Sequence, residues 1–176
     1  LEIARHPIIL FFVMAFGACI GSFLNVVIHR LPRDLKVNEP KRSFCPSCNK
    51  QIPMAENIPI ITWILLRGKC SSCKAPIAFR YVFVEALTMV LFLAIWLHVH
   101  HLGFGVAFAM WMLTTLLIAS TFIDFEHYII PDSLNLGGTI AAIVMAGLLG
   151  PIGAYSINFL TPNLNSVPIP NPIWFH

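Results

Sequence analysis

Charged side chains are scarce in this sequence. Lysine, arginine, aspartate and glutamate together make up 11% of its 176 residues, whereas about a quarter of the residues in a soluble domain are charged. Hydrophobic residues make up 57% of the chain and include 14 Phe and 4 Trp, which excludes an intrinsically disordered protein. Five Cys are too few for a secreted domain held together by disulfides. The composition therefore predicts an integral membrane protein.

Lysine and arginine are absent after Arg80. Ten of the eleven lie between residues 30 and 80, where three acids accompany them and the net charge is +7. A cationic loop beside apolar spans faces the cytoplasm. A nucleic-acid-binding patch is the alternative, but the flanking apolar segments disfavour it, and we expect no nucleic-acid partner. The pattern therefore predicts a cytoplasmic loop at residues 30–80.

Four apolar segments, at about 8–28, 82–97, 104–123 and 134–152, approach the ~20 residues that a helix needs to cross a bilayer. We therefore predict an all-α membrane protein, a polytopic helical bundle with about four transmembrane helices. The second segment is the weakest, because Glu85 lies near its start. The first is longer than the apolar core of a cleaved signal peptide, and its Gly17 and Gly21 favour close packing against another helix.

Four of the cysteines form two CxxC pairs, Cys45 with Cys48 and Cys70 with Cys73, separated by 21 residues. This pattern resembles a zinc ribbon, in which four thiolates bind Zn²⁺ tetrahedrally at about 2.3 Å. A pair of disulfides is the alternative, but disulfides rarely persist in the cytoplasm. We predict a structural zinc site that supplies much of the folding free energy of a small cytoplasmic domain. The fifth cysteine, Cys19, is predicted to be a packing residue of the first span.

Acidic residues cluster after the third apolar segment, at Asp124, Glu126 and Asp132. Asp124 lies at a predicted helix C-terminus, where both the helix dipole and partial desolvation disfavour a negative charge. An unfavourable carboxylate of this kind indicates function in a membrane protein, although the three acids could simply mark the water interface. Asp132 is more simply explained as a capping residue at the start of the fourth helix.

The order of the motifs resembles the type IV prepilin peptidases, bacterial inner-membrane enzymes. The resemblance covers about residues 15–150, and the matching segments are Gly21–Pro32, Cys45–Cys48, Glu56–Pro59, Arg67–Cys73, Arg80-Tyr81, Val84-Glu85, Ile123-Asp124 and Ile130–Asp132. It implies a bifunctional enzyme for type IV prepilins and type II secretion pseudopilins. One activity removes the leader peptide on the cytoplasmic side, and the other methylates the new α-amino group with S-adenosylmethionine.

The resemblance also implies an aspartic peptidase with two catalytic aspartates on different helices, the first of which maps onto Asp124. The second belongs to a GxGD motif, which these 176 residues do not contain. We therefore expect either a fragment or an inactive, truncated relative, and we expect the 176-residue chain alone not to cleave prepilin. Nothing in the sequence indicates where S-adenosylmethionine would bind.

Two other functions are open to the sequence. A non-catalytic membrane protein could use its zinc ribbon to dock a cytoplasmic partner. A histidine-rich transporter would rest on His98, His100 and His101, but these lie at a short turn predicted to be external, where solvation explains them better.

The predicted organisation is a first transmembrane helix at 1–29, a cytoplasmic zinc-binding domain at 30–80, three helices of the peptidase domain at 81–152, and a Pro-rich loop or fragment end at 153–176.

Overall fold

The regular secondary structure of the chain is helical in the part that the computed structural model describes, which comprises residues 5–37, 44–45, 47–128, 132, 134–144 and 147. The helices are α1 (Pro7–Arg30), α2 (Ile61–Leu65), α3 (Phe79–Val99) and α4 (Phe104–His127), followed by the shorter apolar helix α5 (Leu134–Val144). Single 3₁₀ turns occupy Leu31–Arg33, Met54–Asn57 and His100–Leu102. The described residues contain isolated β-bridges but no strand, so the all-α prediction is confirmed.

Among the described residues, three helical segments are long and apolar enough to cross a membrane: Pro7–Arg33, Phe79–Leu102 and Phe104–His127, with mean hydropathies of 2.3, 2.2 and 2.0. The second is longer than the predicted segment at 82–97. Glu85, which lies near the start of this helix, is buried. The first eleven residues of the predicted fourth span form α5. The remainder of that span, apart from Gly147, and the predicted tail at 153–176 lie outside the described residues.

The glycines of α1 form the contact with α3. A Cβ atom added to Gly17 would lie 2.9 Å from the Cα of Met89, and one added to Gly21 would lie 2.7 Å from the Cα of Glu85. Moving one turn along α1 therefore moves the contact one turn backwards along α3, so the two helices are antiparallel. The predicted role of this GxxxG spacing in close helix packing is confirmed.

Apolar side chains form two buried clusters in the bundle. One buried cluster joins α1, α3 and α4 through Leu24, Ile28, Val84, Ile118, Ala119 and Ile123. Further along, Trp111 of α4 stacks on Phe92 of α3 with ring centroids 5.1 Å apart. Its indole N–H donates to the Phe92 carbonyl at 3.0 Å. Cys19 is exposed, so within the described part of the chain it does not have its predicted role as a packing residue of the first span.

One end of the bundle brings distant parts of the sequence together. Because α1 is antiparallel to α3 and a short turn reverses the chain before α4, the ends of α1 and α4 lie beside the start of α3. The guanidinium of Arg80 in α3 forms an ion pair with the carboxylate of Glu126 in α4. Residues 31–78, which we call the cysteine loop, join α1 to α3 at this same end. The bundle therefore positions the cysteine loop and the C-terminus of α4 on one side.

Candidate functional site

The two CxxC segments adopt the same local structure. The Cys45 N–H donates to the Lys50 carbonyl at 3.0 Å, and the Cys45 carbonyl accepts from the Asn49 N–H at 2.8 Å. In the second segment, Cys70 makes the equivalent bonds to Ala75 and Lys74, at 2.8 and 3.1 Å. Asn49 and Lys74 both have left-handed backbone conformations, with φ of 53° and 59°, which turn the chain sharply after each CxxC pair.

These turns bring all four predicted ligands together. The sulfurs of Cys45, Cys48, Cys70 and Cys73 lie within 4.8 Å of one another, and the Sγ atoms of Cys45 and Cys73 are 3.8 Å apart. All four cysteines are free thiols. A tetrahedral zinc site with bonds of about 2.3 Å has sulfur–sulfur edges of about 3.8 Å. The donor set and its spacing therefore fit Zn²⁺.

The thiols of this cluster differ in acidity. Hydrogen bonds from the backbone N–H groups of Cys48 and Ser47 lower the pKa of Cys45 to about 6. A backbone hydrogen bond from Ala75 lowers the pKa of Cys73, but desolvation and the neighbouring sulfurs outweigh it and raise this pKa to about 11. Four thiols this close cannot all ionise without a counter-ion. A divalent cation would supply the positive charge that stabilises the remaining thiolates.

The cysteine loop is attached to α3 by an unusual turn. Ile60 has φ of 62° and ψ of −52°, and the Ile61 N–H donates to the Pro59 carbonyl at 2.6 Å, which together define a γ-turn. This conformation is strained for a β-branched residue. The Ile60 N–H donates to Oε2 of Glu85 at 2.7 Å, so a buried carboxylate of α3 holds the strained turn against the bundle.

A cavity of about 670 Å³ lies between the cysteine loop and the helices. Helices α1 and α3 contribute Asn25, Tyr81 and Glu85 to its walls, and the cysteine loop contributes Glu56, Ile58 and Trp63. The Glu56 carboxylate accepts from the Ser71 hydroxyl at 2.6 Å. The cavity therefore combines apolar surface with two carboxylates, beside the cysteine cluster.

Asp124 lies in the last turn of α4 and is exposed. The preceding residue, Ile123, is completely buried in the core, which fixes this turn against α1 and α3. The helix ends when Tyr128 adopts a left-handed conformation and its N–H donates to the Asp124 carbonyl at 2.8 Å. The carboxylate thus projects from the end of the bundle that carries the cysteine loop. Asp132 is also exposed, immediately before α5.

Sequence reasoning missed the structural roles of three charged residues near this end of the bundle. Glu85 was considered only as a weakness of the second span and as part of the matching Val84-Glu85 segment, although a carboxylate inside an apolar segment is itself a signal of function. The pairing of Arg80 with Glu126 had no sequence signal, because 46 residues separate the two. Glu126 does not merely mark the water interface: its side chain is 25% exposed and ion-paired.

Known proteins resemble this chain along most of its length. The bacterial peptidase A24 N-terminal domain matches residues 15–99. A prepilin leader peptidase/N-methyltransferase from Myxococcus xanthus is 40% identical over 147 residues, covering 82% of this chain and 42% of the relative. Proteins of the same name from Dichelobacter nodosus and Aeromonas hydrophila are 35% and 42% identical, covering 90% and 77% of this chain.

No solved structure matches the chain. The chain spans 42%, 69% and 55% of the lengths of these three relatives, so it corresponds to little more than half of a typical one. The similarity includes the cysteine loop, the helices on either side of it and the segment that carries Asp124. The chain therefore belongs to the prepilin leader peptidase/N-methyltransferase family.

Proposed function

We propose that this chain contributes to a bifunctional prepilin-processing enzyme of the bacterial inner membrane. The observation that carries the proposal is the match to relatives named prepilin leader peptidase/N-methyltransferase, combined with an exposed carboxylate at the end of a membrane-length helix. The substrates would be prepilins or pseudopilins. Their apolar segments would lie in the bilayer, and their basic leaders would meet this end of the bundle.

The charge distribution supports a cytoplasmic location for the cysteine loop and for Asp124. Residues 30–80 have a net charge of +7, and no Lys or Arg follows. Cationic loops are retained on the cytoplasmic side. Because the C-terminus of α4 lies at the same end of the bundle as this loop, Asp124 would face the same compartment. This orientation would make residues 30–80 a cytoplasmic zinc-binding domain between membrane helices.

In the proposed peptidase, Asp124 supplies one of two carboxylates around a water molecule. An ionised carboxylate takes a proton from the water while a protonated one polarises the scissile carbonyl, so the hydroxide forms next to the carbon that it attacks. Two neighbouring carboxylates share one proton because two negative charges in a poorly solvated site repel each other. The second carboxylate would come from the GxGD motif that the family resemblance implies.

Substitution of Asp124 tests this role. In a chain extended by a segment that carries a GxGD motif, Asp124→Asn should lower prepilin cleavage by roughly 10³-fold or more, with unchanged expression and zinc content. Asp132→Asn is the matched control, since it removes another exposed carboxylate that lies outside the proposed dyad. Cleavage is followed by the shift of a purified prepilin on a gel. Normal cleavage by the Asp124 variant, or cleavage by residues 1–176 alone, would refute the two-aspartate mechanism.

The proposed second activity is methylation of the amino group that cleavage exposes. S-adenosylmethionine would supply the methyl group as an electrophile. The cysteine cluster would have a structural role, because four cysteine ligands leave no position for water or substrate on a tetrahedral zinc ion. Zinc would stabilise the loop that forms one wall of the 670 Å³ cavity.

A further inference from the structure

The cavity beneath the cysteine loop contains a buried carboxylate that lacks a cationic partner. Glu85 is 9% exposed and lines the cavity. Within the part of the chain that the structure describes, it forms no ion pair. Burying a carboxylate without a positive partner is unfavourable. Its position therefore indicates that a positively charged group of a ligand completes the site.

The hydrogen bonds of Glu85 leave room for such a group. An ionised carboxylate can accept about four hydrogen bonds. The Ile60 N–H provides one of them. The Ile60 bond also fixes the direction of the carboxylate, because it joins a strained γ-turn of the loop to α3. The site is thus held rigidly while part of its hydrogen-bonding capacity is unused.

A second polar group in the same cavity lacks a partner. Asn25 is 3% exposed, and its Nδ2 donates to the Tyr81 carbonyl at 3.0 Å. Its Oδ1 has no hydrogen-bond partner in the described chain. On the two packed helices, Gly21 faces Glu85 and Asn25 faces Tyr81. Since Asn25 is one helical turn beyond Gly21, it lies roughly 5–6 Å from Glu85 along the interface between α1 and α3. A buried acceptor without a donor is unfavourable, and a ligand N–H would satisfy it.

The rest of the cavity indicates the size and character of the ligand. Its volume of about 670 Å³ lies within the range of roughly 300–1,000 Å³ for small-molecule sites. Trp63 and Ile58 provide apolar surface, and Arg30 and Lys50 also line the cavity. Arg30 already donates to the carbonyl of Val37 at 2.7 Å. The lining suits a ligand whose ammonium group adjoins an apolar or aromatic part.

We propose that this cavity binds a ligand through its ammonium group, with the Glu85 carboxylate as counter-ion and Asn25 Oδ1 as a second hydrogen-bond acceptor. This inference rests on the proposed function, in which two molecules carry such a group. One is S-adenosylmethionine, through its amino-acid part. The other is the cleaved prepilin, through its new N-terminal amine. The apolar wall would contact the adenosine in the first case and the N-terminal side chain in the second.

Binding measurements on the purified, zinc-loaded protein in detergent distinguish these sources. The probes are S-adenosylmethionine, measured by equilibrium dialysis, and a peptide that begins with Phe, measured by fluorescence anisotropy. Glu85→Gln keeps the size of the side chain and an oxygen that can accept from Ile60, but it removes the charge. It should weaken binding of one probe about tenfold or more, identifying that probe as the ligand. Asp34→Asn, an exposed acid outside the cavity lining, should change neither affinity.

Modification of the ligand tests the same contact without a protein variant. The N-acetylated peptide and the desamino analogue of S-adenosylmethionine lack the ammonium group, so the analogue of the true ligand should lose binding to a similar extent. This comparison decides the matter if Glu85→Gln loses zinc or fails to fold. The inference would be overturned if the wild-type and Glu85→Gln proteins bound both probes equally well. It would also be overturned if each of the two probes bound no better than its own uncharged analogue. Wild-type protein that bound neither probe would instead contradict the proposed function.

Discussion

The close contact between α1 and α3 makes Gly21→Ala a quantitative test of the fold. The new Cβ atom would lie 2.7 Å from the Cα of Glu85 and 3.1 Å from both Thr88 Oγ1 and the Val84 carbonyl oxygen. Carbon atoms in contact are normally about 3.5–4.0 Å apart. Because the nearest obstacle is backbone, a change of rotamer cannot relieve the clash. The two helices must therefore move apart by roughly 1 Å.

A matched control isolates the energy of this movement. Alanine is favoured over glycine in a helix by about 1 kcal/mol, and both Gly21→Ala and Gly137→Ala should gain this free energy. Gly137, a residue of α5, is the control because an added Cβ would have no described neighbour within 4 Å. Overpacking of a well-packed contact costs about 1–3 kcal/mol. The free energy of unfolding of Gly21→Ala should therefore be lower than that of Gly137→Ala by about 1–3 kcal/mol.

Unfolding in mixed micelles of increasing denaturing detergent, followed by tryptophan fluorescence, measures this difference. The stacked rings of Trp111 and Phe92 place one reporter between α3 and α4. Gly21→Ala should also disturb the cavity wall, because the Asn25–Tyr81 hydrogen bond lies one turn along the same interface. If the two variants unfold at the same detergent concentration, the packing of α1 on α3 is not as close as described.

Two further predictions concern the zinc site, and a third concerns the membrane topology. The purified protein should contain about one zinc ion per chain by elemental analysis. Cys48→Ser should lower this content sharply, whereas Cys19→Ser, which alters the cysteine outside the cluster, should not. A full complement of zinc in Cys48→Ser would contradict the four-thiolate site. Between pH 7 and 8, zinc affinity should rise about tenfold per pH unit for each proton released on binding. Cys73 must lose its proton on binding because its pKa is raised to about 11, whereas the pKa of Cys45, lowered to about 6, already permits ionisation. A zinc affinity independent of pH would show that no thiol loses a proton. In a cysteine-free background, a single cysteine at Lys36 should resist a membrane-impermeant reagent on intact cells and one at Gly103 should react, and the opposite result would invert the proposed topology.

The sequence alone predicted the features that depend on neighbouring residues. The three membrane-length helices in the described part of the chain follow from apolar runs, since the length and hydrophobicity of a segment decide whether it can span a bilayer. The cysteine cluster follows from two CxxC pairs, because each pair is shaped by hydrogen bonds within six residues. In the first pair, the Asn49 N–H donates to the Cys45 carbonyl and the Cys45 N–H donates to the Lys50 carbonyl. The Gly17 and Gly21 spacing predicted a close helix contact, although not which helix would make it.

Only the tertiary structure decided which side chains meet across the bundle. Glu85 became the carboxylate of a cavity because α1 packs antiparallel on α3 and the cysteine loop folds over both. The strained turn at Ile60 and the Arg80–Glu126 pair depend on contacts over 25 and 46 residues of sequence. Such contacts are set by helix direction and register, which hydropathy does not encode, because an apolar run specifies burial but not its partner. The exposed position of Cys19 has the same cause: which face of an apolar helix meets lipid is decided by the neighbouring helices.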